Sequence, residues 1–129
     1  MEINLEDFSI KCEDLNEFGD FPVCEAHEVG RDWRFTYLTL FDDETKIRSN
    51  RLAKYDRLQK KWFTRKYVNE SDISEACPIR VEDQLFLLVV INEKNKTYIE
   101  LVEAGKFETV CKIELPVEVP YGFHGKWDP

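Results

Sequence analysis

The chain has 129 residues, 43% hydrophobic and 13% aromatic, with only five Gly and five Pro. That is one domain with ample material for a packed core, which excludes a disordered or low-complexity protein. Its 26 acidic and 18 basic residues leave a formal charge of −8, which repels nucleic acid from the molecule taken as a whole.

The first segment, MEINLEDFSIKCEDL, alternates apolar and polar residues and predicts a strand over 3–12, broken near Glu6-Asp7. It has neither the basic start nor the apolar run of a secretory signal. Residues 13–20 are acidic and read as a loop, and a short strand is expected over 23–29 with a turn at Gly30. Cys12, Cys24, Cys77 and Cys111 are widely spread, and without a leader they are expected as reduced thiols in a cytoplasmic or nuclear protein. Cys24 and His27 make one C-x-x-H, but a structural zinc site wants paired short spacings, so no metal ligand is assigned.

DWRFTYLTLF (32–41) is rich in the aromatic and branched residues that strands favour. The next stretch is unusual. KIRSNRLAKYDRLQKKWFTRK (46–66) holds nine of the chain's 18 Lys and Arg, and Asp56 is its only acid. Leu52, Tyr55 and Trp62 follow a three-then-seven spacing with Leu58 beside them, which predicts an amphipathic helix over 46–60 capped by Asp42 or Asp43. An extended segment from 62 to 68 follows, and NESDISEA (69–76) reads as a loop.

The last third is patterned most clearly. A strand is expected over 79–91 with a kink at Glu82-Asp83, and NEKNK reads as a turn. TYIELVE is a further strand, Ala104-Gly105 a tight turn, and FETVCKIEL a third strand, which together form an antiparallel meander. The longest apolar run, LFLLVVI (85–91), is too short for a transmembrane helix, which needs about 20 residues. Residues 116–129 carry three Pro and two Gly with Tyr121, Phe123 and Trp127, and are expected as a tail packed on the domain. The fold class is thus mainly β: an antiparallel β-sandwich or curled sheet of six to seven strands with one helix near 46–60.

DWRFTYLTLF together with KKWFTRKYVNESDISEACPIRVEDQLFLLVVI resembles the second half of a MATH domain, the TRAF-type β-sandwich, over residues 32–91. Trp33 opens the first strand and Trp62 stands where that family has its Gly-Trp-Gly element, with Lys61 and Phe63 in place of both glycines. The resemblance implies an antiparallel sandwich that grips a partner's peptide along a sheet edge or groove.

No nucleophile elbow, phosphate loop, H-E-x-x-H or dinucleotide fingerprint is present. The functional expectation is therefore a non-enzymatic adaptor or inhibitor that binds another protein, with no cofactor and no catalytic residue. Its candidate surface is the cations Arg51, Lys54, Arg57, Lys60, Lys61 and Arg65, since Arg among aromatics is typical of interface centres. Two alternatives are single-stranded RNA binding, with those cations on phosphates and Tyr55, Trp62, Phe63 or Tyr67 stacked on bases, and a small enzyme of unrecognised class.

Overall fold

The structure, a computed structural model, describes residues 2–41, 48–68, 70–120 and 122. It is built almost wholly of antiparallel strands. β1 (Glu2–Ile3) and β2 (Ile10–Lys11) form a small hairpin whose connection falls at the expected break. β3 (Gly19–Val23), β4 (Phe35–Phe41), β5 (Ser49–Asp56) and β6 (Lys61–Lys66) make a first sheet in sequence order. β7 (Ser71–Ile73) and β8 (Cys77–Val81) both pair with β9 (Gln84–Glu93), at opposite ends of it, and act together as one broken edge strand. β10 (Lys96–Glu103) and β11 (Glu108–Glu114) complete this second sheet in the order β11-β10-β9-β7. The expected meander is present, and the expected kink at Glu82-Asp83 is the tight turn between β8 and β9.

The expected helix over 46–60 is not there. Residues 42–47, including the proposed caps Asp42 and Asp43, lie outside the described residues, and 49–56 form β5, an inner strand paired with β4 on one side and β6 on the other. Asp56 supplies the physical reason. Its Oδ1 accepts the backbone N–H groups of Leu58 (3.0 Å) and Gln59 (3.1 Å), which bends the chain away from helix and into the four-residue connection 57–60. Leu58, expected to face inward, is left exposed. Tyr55 instead packs on its cross-strand neighbour Trp62, with ring centroids 4.8 Å apart.

The early strand is also shifted. Gly19–Val23 is extended where a loop was expected, and Ala26–Glu28 is a single 3-10 turn where a strand was expected. Pro22 is tolerated because β3 is an edge strand and needs no donor on its open side.

The core lies between the two sheets. Tyr37 and Leu52 from the first meet Ile73, Leu87, Val89, Ile91 and Val102 from the second, with Ala76 and Ala104 filling the margins. Past β11 the chain turns back along β10, where Leu115 N–H donates to Thr97 O and Val119 N–H to Thr97 Oγ1. Tyr121, Phe123 and Trp127 lie outside the described residues. No helix among the described residues is long and apolar enough to cross a membrane.

Leu52 is fully buried at this junction. Leu52→Ala is expected to lose about 2–5 kcal/mol of stability in chemical denaturation, the range for a core leucine whose site cannot collapse. A loss below about 1 kcal/mol would show that the inter-sheet contact is not a packed core.

Candidate functional site

The six cations singled out by sequence do not form one face. β5 and β6 alternate their side chains across the sheet, and each of the six is engaged within the chain. Arg51 donates to Phe41 O (2.9 Å) and pairs with Glu17 (3.3 Å). Arg57 donates to Trp33 O (3.0 Å) and pairs with Asp32. Lys60 pairs with Glu13 (2.6 Å), and Lys61 lies 5.0 Å from the Phe63 ring centroid. Residues 13–17 of the acidic first segment thus lie against the basic window, and Trp62 Nε1 donates to Leu15 O nearby.

Lys54 is the most constrained of the six. It is 5% exposed and its Nζ donates to Ala104 O (2.8 Å) and Gly105 O (2.9 Å). Phe35, Phe63 and Phe107 surround the ammonium at 5.4, 4.9 and 5.3 Å, so the rings' negative faces take the place of water. Burial lowers its pKa, opposed by the charges of Glu103 and Asp56. The turn that supplies the two carbonyls is shaped by Glu103, whose carboxylate accepts the N–H groups of Gly105 (2.8 Å) and Lys106 (2.6 Å). A Cβ at residue 105 would sit 2.8 Å from Glu103 Oε1, so glycine is what lets the carboxylate approach.

A second polar group bridges the sheets. Glu100, 1% exposed on β10, accepts Arg65 Nη2 (2.6 Å) and Thr109 Oγ1 (2.5 Å) on Oε1, and Tyr67 Oη (2.7 Å) on Oε2. Both carboxylate oxygens are hydrogen-bonded, which is the condition for a buried carboxylate to be tolerated. Burial is the main cause that pushes the Tyr67 phenol far above its usual range, reinforced by Glu100. Glu100 was missed by sequence reasoning, although its signal was available: it shares an inward parity with Val102, and a charge on a core face needs a partner. Asp56 is a further buried carboxylate, satisfied within the first sheet. Arg34 donates to it from Nε (3.1 Å) and Nη2 (2.8 Å) and holds its carboxyl below the usual range.

Among the described residues one group has metal-binding composition: Glu25, His27 and Glu28, with ligand atoms within 4.8 Å of one another. It does not fit a metal. Both oxygens of Glu25 already receive the Arg80 guanidinium at 2.7 Å, and that cation would repel another. Nearby, burial raises the Tyr37 phenol well above its usual range, with Glu25 and Glu28 adding to the effect.

The family model for RPE65, the retinal pigment epithelial membrane protein, matches residues 1–129, the whole chain. The chain belongs to the retinal pigment epithelial membrane protein family. Relatives of this RPE65-family chain include the mitochondrial carotenoid-cleaving dioxygenase of Macaca fascicularis, 29% identical over 130 residues that cover 91% of the chain and 22% of that protein. The chloroplastic carotenoid cleavage dioxygenase 8 homolog A of Oryza sativa subsp. japonica is 29% identical over 85 residues, 62% of the chain and 15% of that protein. A solved chimera of apocarotenoid oxygenase (ACO) and RPE65 superposes with TM-score 0.89 at 18% identity, covering 97% of the chain and 28% of the chimera. Cobalt-substituted Synechocystis apocarotenoid oxygenase superposes at 0.86 and 18% identity, over 98% and 29%. The RPE65-family chain thus spans between 15% and 29% of the length of these proteins.

Membership of the RPE65 family corrects two expectations. The MATH resemblance rested on strand residues that any antiparallel sheet uses, and the family match over the whole chain replaces it. The non-enzymatic adaptor reading falls with it, because the relatives are named as carotenoid-cleaving dioxygenases, which are enzymes. Those relatives are named chloroplastic and mitochondrial, and lend no support to a cytoplasmic or nuclear location.

Asp56 gives the fold a specific acid dependence. Its folded pKa is depressed, so the stability it contributes is complete above its unfolded pKa of about 3.9 and is lost as pH falls through the lower folded value. Asp56→Asn is expected to lower the urea midpoint at pH 7 and to flatten its decline below about pH 4. An unchanged acid slope in the variant would mean that the Arg34–Asp56 contact does not form in solution.

Proposed function

We propose that this chain forms two neighbouring sheets in the framework of a carotenoid-cleaving oxygenase, and that its part is scaffold rather than metal centre. The observation that carries the reading is the family match over all 129 residues, joined to a superposition that covers 97% of this chain but only 28% of its structural neighbour. Two successive antiparallel meanders, each four strand positions wide, are the repeating unit of a β-propeller, where such sheets pack side by side around a central channel. The seam between them, bridged by Lys54 on the carbonyls of Ala104 and Gly105 and by Glu100 on Arg65, gives that wall a fixed register.

The reaction class follows from the relatives' names: dioxygenation of a conjugated polyene, in which one C=C and one O₂ become two C=O. The cobalt-substituted neighbour points to a metal centre in that protein. This chain holds two histidines in all, His27 and His124, and His124 lies outside the described residues. The described residues do not fit a catalytic metal, since Arg80 occupies Glu25. The donors for such a centre are therefore sought beyond them.

The test uses the protein as its own cells make it. Material purified through a tag on this chain and supplied with a divalent transition metal is expected to consume a carotenoid or apocarotenoid under ¹⁸O₂. Mass spectrometry should find label in both carbonyl products, while the 129-residue chain produced alone, folded by circular dichroism, leaves the polyene intact. Intact tagged protein that never consumes polyene would overturn the enzymatic reading. Cleavage by the 129 residues alone would overturn the scaffold assignment.

A further inference from the structure

At the end of the seam opposite Lys54, three buried residues carry polar atoms that nothing among the described residues satisfies. Ser49 Oγ, both side-chain atoms of Asn50 and Ser71 Oγ are buried and have no hydrogen-bond partner among the described residues. Asn50 and Ser71 are fully buried, and Ser49 is nearly so. The cause is local and visible in the register. Leu40 pairs with Arg51 and Phe41 with Ser49, which leaves Asn50 as the extra residue of a β-bulge. A bulge interrupts alternation and re-aims side chains, and here the consecutive residues Ser49 and Asn50 are both buried.

Asn50 lies two residues before Leu52, and Ser71 two before Ile73. Leu52 and Ile73 share the inter-sheet core, so the amide and the hydroxyl approach the same seam from opposite sheets. The chain between them is tied at both ends, with Tyr67 N–H on Asn50 O and Ser71 N–H on Val68 O. An open cleft lined by Val68, Glu70, Glu93 and Lys94 lies against this segment, and Glu93 is the strand partner of Ser71.

Buried groups of this kind are paired in native proteins, and those without protein partners are satisfied by internal water. Four polar atoms that include donors and acceptors need an occupant able to do both, and water is the smallest that can.

We propose that Ser49, Asn50 and Ser71 frame an internal hydration site at the seam, where ordered water joins the bulge of β5 to β7. The bulge is then a device that brings polar groups inward to be bridged, and the adjacent cleft is the path by which water exchanges. The site stands on packing and register, and is independent of any carotenoid chemistry.

The probe is water itself, observed by NMR on the ¹⁵N-labelled 129-residue chain. The Asn50 side-chain NH₂ and the Ser71 amide are expected to show water cross-peaks of opposite sign in NOE and ROE spectra, the mark of water that stays bound while the molecule tumbles. Asn50→Leu should abolish the Ser71 cross-peak while leaving the rest of the spectrum folded. Cross-peaks of the same sign in both spectra would place these groups in contact with surface solvent and overturn the site. So would an Asn50 NH₂ with contacts only to protein groups. The unsubstituted measurement decides the matter even where Asn50→Leu fails to fold.

Discussion

The structure turns on a strand that must carry charge through its interior. β5 is flanked by β4 and β6 and covered by the second sheet, yet it holds Lys54 and Asp56. An ammonium moved out of water loses far more hydration energy than a domain can spare unless it is re-solvated in place. Two carbonyls and three phenylalanine rings do this for Lys54. The carbonyls come from the β10–β11 turn, so the cation requires the second sheet to sit where it does. That turn is in turn held by Glu103 folding back onto it, over the open space that glycine leaves at 105.

The other polar links lie along the same seam. Glu100 gathers Arg65, Tyr67 and Thr109 from segments on both sides of it, and Asn50 and Ser71 are buried on β5 and β7. From residue 50 to residue 54 a strand advances about 13 Å, so these links fix relative slide and tilt rather than a single point. Apolar packing by Leu52, Ile73 and Leu87 stabilises the contact without directing it. Hydrogen bonds to buried charges have one geometry, and they supply the direction. A wall built from successive sheets around a channel needs such registry, because an error at one seam is carried to the next.

Much of this was legible in the sequence, and the remainder failed for identifiable reasons. The meander of β9, β10 and β11 was readable because its alternation and its turns agree. β4 was readable from its aromatic and branched residues, although it begins at Phe35 rather than Asp32. β5 was misread as helix because Leu52, Tyr55 and Trp62 happen to fall at helical spacing, while the decisive residue, Asp56, was counted only as a lone acid. The basic window looked like a surface because charge in a sequence carries no direction. Only tertiary structure shows that its counter-charges Glu13, Glu17, Asp32 and Glu100 come from 25 to 47 positions away. The family was out of reach because the sequence carries no short motif that names a reaction, and its relatives are only about 29% identical over most of the chain.

The central claim is that β5 lies inside the molecule, with Lys54 at its most protected point. Acetylation of the folded protein, followed residue by residue with mass spectrometry, tests it directly. Lys60 and Lys61 are exposed at the β5–β6 connection and should react readily, whereas Lys54 should react only once the protein unfolds. Acetylation of Lys54 in the folded protein at the rate of Lys61 would place β5 on the surface and contradict the account.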